Sequence, residues 1–106
     1  MNLLEFTVLF FINSRSRTQG AFLTKLCKTL NELGFNLSIK DLLIIIYKFG
    51  EQEFLFEIGD NTIFEIGLNN ASDEERLFFI SKNGEHHLKN SQDFELNFAK
   101  LKELNK

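Results

Sequence analysis

The chain lacks proline and tryptophan altogether, and it contains one cysteine, Cys27, and one tyrosine. A single cysteine excludes an intrachain disulfide and is typical of a reducing compartment, which favours the cytoplasm. No proline-rich or other low-complexity linker interrupts the 106 residues, which is the length of one ordinary domain. The sequence therefore predicts a single globular domain over residues 1–106.

Long hydrophobic runs are also scarce. The longest candidate, Leu3 to Ile12, is about half the length that a bilayer requires and contains Glu5. No lysine or arginine precedes it, as one would in a signal peptide. The sequence therefore predicts no membrane segment.

What the chain does have is phenylalanine, with thirteen residues beside that single tyrosine. A phenylalanine ring has no polar group, so it serves packing first. The hydrophobic fraction of 43% and the charged fraction of 25% are those of a globular protein. The composition predicts one core built largely from aromatic rings.

The first third of the chain predicts a strand followed by a helix. Leu3 to Asn13 is a nearly continuous apolar run, which is typical of a strand covered on both faces. From Gln19 onward the apolar residues follow helical spacing, and Gly34 is placed to end that helix. The inward stripe is Phe22, Leu26, Leu30 and Leu33, with Cys27 beside it.

The segment Leu42 to Tyr47 is ambiguous between strand and helix. It contains three consecutive β-branched residues, which favour an extended conformation. Ser38 and Asp41 could instead form a capping box for a helix. Because the segment is short, we interpret it as a strand.

Two β-hairpins are predicted further along the chain. Glu53 to Ile58 and Thr62 to Leu68 alternate between apolar and polar residues and flank a Gly-Asp-Asn turn. Leu77 to Ser81 and Glu85 to Lys89 flank an Asn-Gly turn. These segments predict a meander of antiparallel strands.

The last segment predicts a helix with Ser91 as its N-cap. Acids in the first turn and lysines towards the end suit the helix dipole. The inward residues are Phe94, Phe98, Leu101 and Leu104. Together the elements predict a two-layer α+β fold, with a mainly antiparallel sheet of about five to six strands and two helices in the order strand, helix, β-meander, helix.

No lysine or arginine occurs between Glu51 and Glu75, whereas eight acids do. The rest of the chain has twelve bases against seven acids, so the total charge of −3 conceals two regions of opposite sign. Alternation along the first predicted hairpin places Glu53, Glu57 and Glu65 together on the face opposite the apolar side chains. Like charges on one sheet face lower stability, so a basic partner would relieve them.

We therefore expect this acidic hairpin face to dock on a basic surface of another protein, where complementary potentials speed encounter. Nuclease toxins have such surfaces, because phosphate binding requires lysine and arginine. The alternative is a solvated face whose acids serve only solubility and edge protection. The expected partner-binding residues are Glu53, Glu57, Asp60, Glu65, Asp73, Glu74 and Glu75.

Candidate residues for catalysis or metal binding are few. His86 and His87 are the only histidines, and as neighbours on a predicted strand they point to opposite faces, so no metal site is expected. Cys27 has no sequence-adjacent partner for nucleophilic chemistry. Arg15 and Arg17 precede a helix N-terminus, where a phosphate could bind, but a solvated loop is the simpler interpretation. No cofactor is expected, and scattered bases with a pI near 5.4 disfavour direct nucleic-acid binding.

These patterns favour a small acidic inhibitor of the bacterial immunity or antitoxin type, acting in the cytoplasm, and not an enzyme. The interpretation is an analogy of size and charge, because no motif carries it. Two alternatives stay open. One is a small acidic secretion-type chaperone that binds its partner through apolar grooves, and the other is a small enzyme that uses His86 or His87 with Glu85.

Overall fold

The computed structural model describes residues 1–15, 20–57 and 76–104. Five α-helices make up 67% of this part, and three short strands form one antiparallel sheet. The helices are α1 (Leu3–Arg15), α2 (Leu23–Glu32), α3 (Ile39–Glu51), α4 (Lys82–Lys89) and α5 (Phe94–Leu104), and the strands are β1 (Ala21–Phe22), β2 (Leu55–Glu57) and β3 (Leu77–Ile80). The prediction of five to six strands with two helices is therefore wrong.

Helix α1 is the central element of the fold. It contacts the sheet, α2, α4 and α5, and its residues Phe6, Val8, Leu9 and Ile12 are completely buried. A helix that is covered on several sides is apolar all round, and a run of this kind looks like a buried strand in the sequence. The predicted strand over Leu3 to Asn13 is wrong for this reason. None of the described helices is long and apolar enough to cross a membrane.

Helix α3 replaces the strand that was predicted over Leu42 to Tyr47. The Ser38 hydroxyl accepts a hydrogen bond from the Asp41 backbone N–H at 3.1 Å, and the Asp41 carboxylate accepts one from the Ser38 N–H at 3.2 Å. This capping box satisfies two N–H groups at the helix start. Leu42, Leu43, Ile46 and Phe49 then share the buried side of the helix. Capping and helical spacing outweigh the low helix propensity of the three isoleucines.

The prediction of a second hairpin is wrong, because its second strand, Glu85 to Lys89, lies in helix α4. Leu77–Ile80 is strand β3, but the Asn-Gly pair lies in the first turn of α4 and not in a hairpin turn. The Ser81 hydroxyl caps this helix by accepting a hydrogen bond from the Gly84 N–H at 3.0 Å. Gly84 is buried, and a Cβ added there would overlap the Phe54 carbonyl oxygen. Close packing, and not turn geometry, explains this glycine.

The three strands are arranged in the order β1-β3-β2. Phe22 lies opposite Leu77, and Phe56 lies opposite Phe79. The strands bury Leu55, Phe78 and Ile80, while Phe22 and Phe56 are exposed. The strand that was predicted over Thr62 to Leu68 lies outside the described residues.

The two predicted helices are confirmed, with changes at their ends. Helix α2 begins at Leu23 and buries Leu26 and Leu30, but Phe22 belongs to β1 and is 41% exposed. Gly34 follows α2 with a φ of 100°, as its predicted role as a stop requires. Helix α5 begins at Phe94, so the prediction of Ser91 as its N-cap is wrong, and Leu104 is 40% exposed instead of facing inward.

Replacement of Gly84 by alanine tests the close packing of α4. The added methyl group would lie 2.6 Å from Ile80 Cγ1 and would overlap the Phe54 carbonyl oxygen. We expect Gly84→Ala to lower the free energy of unfolding by about 1–3 kcal/mol in urea titrations. The matched control is Asn83→Ala, at an exposed position of the same turn, which should change it by less than about 0.5 kcal/mol. Equal stability of the two variants would contradict this explanation.

Candidate functional site

A buried ion pair joins the end of β2 to the start of β3. Arg76 Nε donates to Glu57 Oε2 at 3.0 Å, and Arg76 Nη2 donates to Glu57 Oε1 at 3.1 Å. The Glu57 side chain is only 4% exposed, and the Arg76 side chain only 7%. A bidentate arginine–carboxylate pair of this kind fixes the relative orientation of the two side chains and also balances their charges.

The positions of the two residues in the sheet explain their burial. Glu57 is the last residue of β2 and lies opposite Phe78, while Arg76 directly precedes β3. The Arg76 guanidinium lies over the Phe78 ring, 5.4 Å from its centroid. The Arg76 carbonyl accepts a hydrogen bond from the Leu23 N–H at 3.1 Å, which ties the start of α2 to the same point. The pair therefore joins β2, β3 and α2.

One nitrogen of this arginine forms no hydrogen bond within the described ranges. Arg76 Nη1 is buried, and it donates to no group in the described parts of the chain. A buried charged group with an unmade hydrogen bond costs stability, and losing its counter-ion would cost more. The buried Arg76 guanidinium therefore requires the Glu57 carboxylate as its counter-ion.

The face assignment of the first predicted hairpin needs correction. Alternation along the sequence predicted that Glu53 and Glu57 face outward together and that the apolar side chains between them, Phe54 and Phe56, face inward. The structure instead buries Leu55 on β2, turns Phe56 out with 44% exposure, and pairs Glu57 with Arg76 inside. A shift of one residue exchanges the two faces of a strand. Glu57 consequently offers no unpaired carboxylate to a partner.

Glu51 and Glu53 remain exposed at the end of α3. Glu51 is the last residue of the helix, where a negative charge opposes the helix dipole. Lys48, in the same last turn, is paired with Glu5 at 2.9 Å. Within the described ranges neither Glu51 nor Glu53 forms an ion pair.

Glu53 also has an unfavourable backbone conformation. Its φ of 61° lies in the left-handed region, which non-glycine residues seldom adopt. Its N–H donates to the Gly50 carbonyl at 3.0 Å, and its carbonyl accepts from the Ser81 hydroxyl at 2.6 Å. These contacts hold the backbone while the carboxylate stays in solvent. The other predicted site residues, Asp60, Glu65, Asp73, Glu74 and Glu75, lie outside the described residues.

His86 and His87 are both exposed on α4, not on a strand as predicted. The His87 ring stacks on Phe54 with 4.3 Å between centroids. No group of three or more potential metal-ligating side chains occurs in residues 1–15, 20–57 and 76–104. The structure does not bring either histidine together with Cys27, which lies in α2.

Cys27 is buried in the core, 6% exposed. Its sulfur accepts a hydrogen bond from Asn31 Nδ2 and donates one to the Leu37 carbonyl, each at 3.6 Å. Burial raises the pKa of the Cys27 thiol, the Asn31 contact opposes this, and the neutral form is therefore favoured. These contacts fit a structural thiol.

The sequence did not reveal a groove beside α2. It lies between the end of α1, β1 and α2, and has a volume of about 440 Å³. Arg15, Lys25 and Lys28 line it together with Phe22. The spacing of Phe22, Lys25 and Lys28, three residues apart, is the sequence signal that could have indicated it. Of the loop considered as a phosphate site, Arg15 borders this groove and Arg17 lies outside the described residues.

Comparison of the chain with protein-family models, with curated proteins and with solved structures gives no match.

Neutralising Glu57 should destabilise the protein far more than neutralising Glu53. Glu57→Gln leaves the buried Arg76 without a counter-ion, and we expect a loss of about 3–5 kcal/mol in the free energy of unfolding. Glu53→Gln removes an exposed charge and should change it by less than about 0.5 kcal/mol. Urea titrations of the two variants measure both values. Similar losses would show that Glu57 is not the structural member of the acid-rich stretch.

Replacing Glu53 by glycine should stabilise the fold. A non-glycine residue in the left-handed region costs about 1–2 kcal/mol, part of which is offset by the greater freedom of glycine in the unfolded chain. We expect Glu53→Gly to raise the free energy of unfolding by about 0.5–1 kcal/mol. Asn36, with a φ of 57°, provides the control, because asparagine tolerates this region and Asn36→Gly should gain less. A loss of stability in Glu53→Gly would contradict the strain assigned to this residue.

Proposed function

We propose that the protein is a non-enzymatic, cytoplasmic inhibitor of the bacterial immunity or antitoxin type. It binds a basic surface of another protein through the acid-rich stretch from Glu51 to Glu75. Seven of the eight acids of this stretch act as charge partners, and the eighth, Glu57, holds the stretch to the fold by pairing with Arg76.

This proposal rests on two exposed acids near the end of α3 whose positions lower the stability of the folded protein. Glu51 opposes the helix dipole, and Glu53 occupies a left-handed conformation that glycine would fill better. Neither is compensated by an ion pair in the part of the chain that is described. Features that lower stability are concentrated at functional surfaces, because selection for binding retains them.

The charge of the following residues extends this surface in the sequence. Residues 58–75 contain five acids and no lysine or arginine. The residues that flank this segment, Glu57 and Arg76, are joined to each other by the buried ion pair. A stretch whose charges are all negative raises the association rate with a positively charged protein and disfavours acidic competitors. Nuclease toxins are partners of this kind, since they carry lysine and arginine for phosphate.

A secretion-type chaperone is a second candidate, and one observation favours it. Phe22 and Phe56 are exposed, and Phe22 borders the groove beside α2, whose floor is apolar. A chaperone would bind its client mainly through such apolar surface, so its affinity would depend little on salt. The enzyme alternative has no comparable support, since His86 and His87 are exposed and neither lines either of the two grooves described beside α2.

Charge reversal within the stretch tests the proposed function. The wild-type protein and the variant Glu53→Lys/Glu65→Lys serve as baits in extracts of the source cell. We expect the wild type to capture a basic protein and to inhibit its activity at equimolar ratio. The association rate of the purified pair should fall steeply between low and physiological salt, and the variant should associate at least about tenfold more slowly.

The matched control is Glu95→Lys/Glu103→Lys, which changes the net charge equally at exposed positions of α5. It should capture the same protein at a rate within about twofold of the wild type. Equal effects of the two variants, or an association rate that does not respond to salt, would reject the inhibitor in favour of the chaperone.

A further inference from the structure

The groove beside α2 combines an apolar floor with a cationic rim. Ala21 and Leu26 on its floor are buried, Phe11 is half-buried, and Phe22 forms an exposed wall. Its volume of about 440 Å³ is within the range of ligand-binding clefts. The groove therefore accommodates one bulky apolar side chain together with the backbone that carries it.

The rim of the groove carries an excess of positive charge. Arg15, Lys25 and Lys28 border it, and among the described lining residues Glu32 is the one carboxylate. Arg15 Nε donates to the Gly20 carbonyl at 3.2 Å, which fixes the guanidinium beside the groove. Lys25 and Lys28 are exposed, and the described chain gives neither of them an ion pair. The charges of the rim thus complement an anion.

A second groove extends this surface across α2. It has a volume of about 290 Å³ and is lined by Phe22, Thr24, Lys25 and Lys28. Three of these residues, Phe22, Lys25 and Lys28, border both grooves. The two lysines therefore form a ridge between adjacent depressions. An elongated ligand with several side chains fits such a surface better than one compact molecule does.

We infer that these joined grooves bind an acidic peptide segment of a second protein. A phenylalanine or leucine of the segment lies on the floor formed by Ala21 and Leu26, and flanking carboxylates pair with Lys25 and Lys28. The acid-rich stretch is proposed to bind a basic partner, whereas these grooves bind an acidic one, and none of the described residues of the stretch lines them. The grooves therefore give the protein a second, independent partner surface.

Fluorescence anisotropy with a labelled peptide of four glutamates around two phenylalanines tests this site. We expect Lys25→Glu/Lys28→Glu to weaken binding of this peptide by at least about tenfold relative to the wild-type protein. The control Lys40→Glu/Lys100→Glu changes the net charge equally at exposed lysines of α3 and α5 and should stay within about twofold. Phe22→Ser should also weaken binding, because it removes the shared apolar wall.

Two further peptides and one small anion separate the contributions. Alanines in place of the phenylalanines, or lysines in place of the glutamates, should each abolish measurable binding. The inference is overturned if the wild type binds the three peptides equally, or if the two double variants behave alike. Displacement of the peptide by dodecanoate at equal concentration would also overturn it, by assigning the grooves to a small amphipathic anion.

The same assay distinguishes this site from the proposed inhibitor function. Glu53→Lys/Glu65→Lys should bind the acidic peptide at least as well as the wild type does, because it changes none of the described lining residues and makes the protein less acidic. Lys25→Glu/Lys28→Glu should still bind the basic partner of the acid-rich stretch. Loss of both activities in either variant would contradict two independent surfaces.

Discussion

The fold depends on a buried charge pair at the point where three elements meet. Glu57 ends β2, Arg76 precedes β3, and the Arg76 carbonyl holds the first N–H of α2. Removing two charges from water is costly, and their attraction repays that cost only with good geometry. The two parallel hydrogen bonds and the Phe78 ring beneath the guanidinium supply this geometry. The pair therefore fixes how the strands meet rather than adding much net stability.

This arrangement divides the acid-rich stretch into two kinds of carboxylate. Glu57 is structural, because it is buried with its own counter-ion. Glu51 and Glu53 are exposed at a helix end where their charge and, for Glu53, its backbone conformation are unfavourable. In the described ranges these two acids have no ion pair, which supports the proposed role in binding a basic protein. The grooves beside α2 are instead bordered mainly by cationic side chains, so they favour a ligand of the opposite charge.

Elements with a clear amphipathic pattern could be predicted from the sequence, and buried elements could not. The helical stripe of α2 and the apolar spacing of the last helix were visible as patterns, although the predicted N-cap of that helix, Ser91, lies three residues before its start. Helix α1 was mistaken for a strand because it is apolar on all sides, so that it has no period to recognise. For α3, the capping box at Ser38 and Asp41 was the better signal than three consecutive isoleucines.

Only the distribution of charge in the candidate site could be predicted from the sequence. The acid-rich stretch can be read directly from the sequence. Which of its acids faces inward depends on the register of β2, because a shift of one residue exchanges the two faces of a strand. Arg76 lies just beyond the stretch, so counting charges inside it missed the counter-ion of Glu57. The grooves beside α2 depend on how α1, β1 and α2 pack together, which no local pattern contains.

A double-mutant cycle across the Glu57–Arg76 pair tests the central claim most directly. The free energies of unfolding of Glu57→Leu, Arg76→Met and the double variant are compared with that of the wild type. We predict that each single change is costly and that the double variant recovers about 1–3 kcal/mol of their sum, because no buried charge then lacks a partner. Costs that add to within about 0.5 kcal/mol would show that the two residues act independently and would contradict the account.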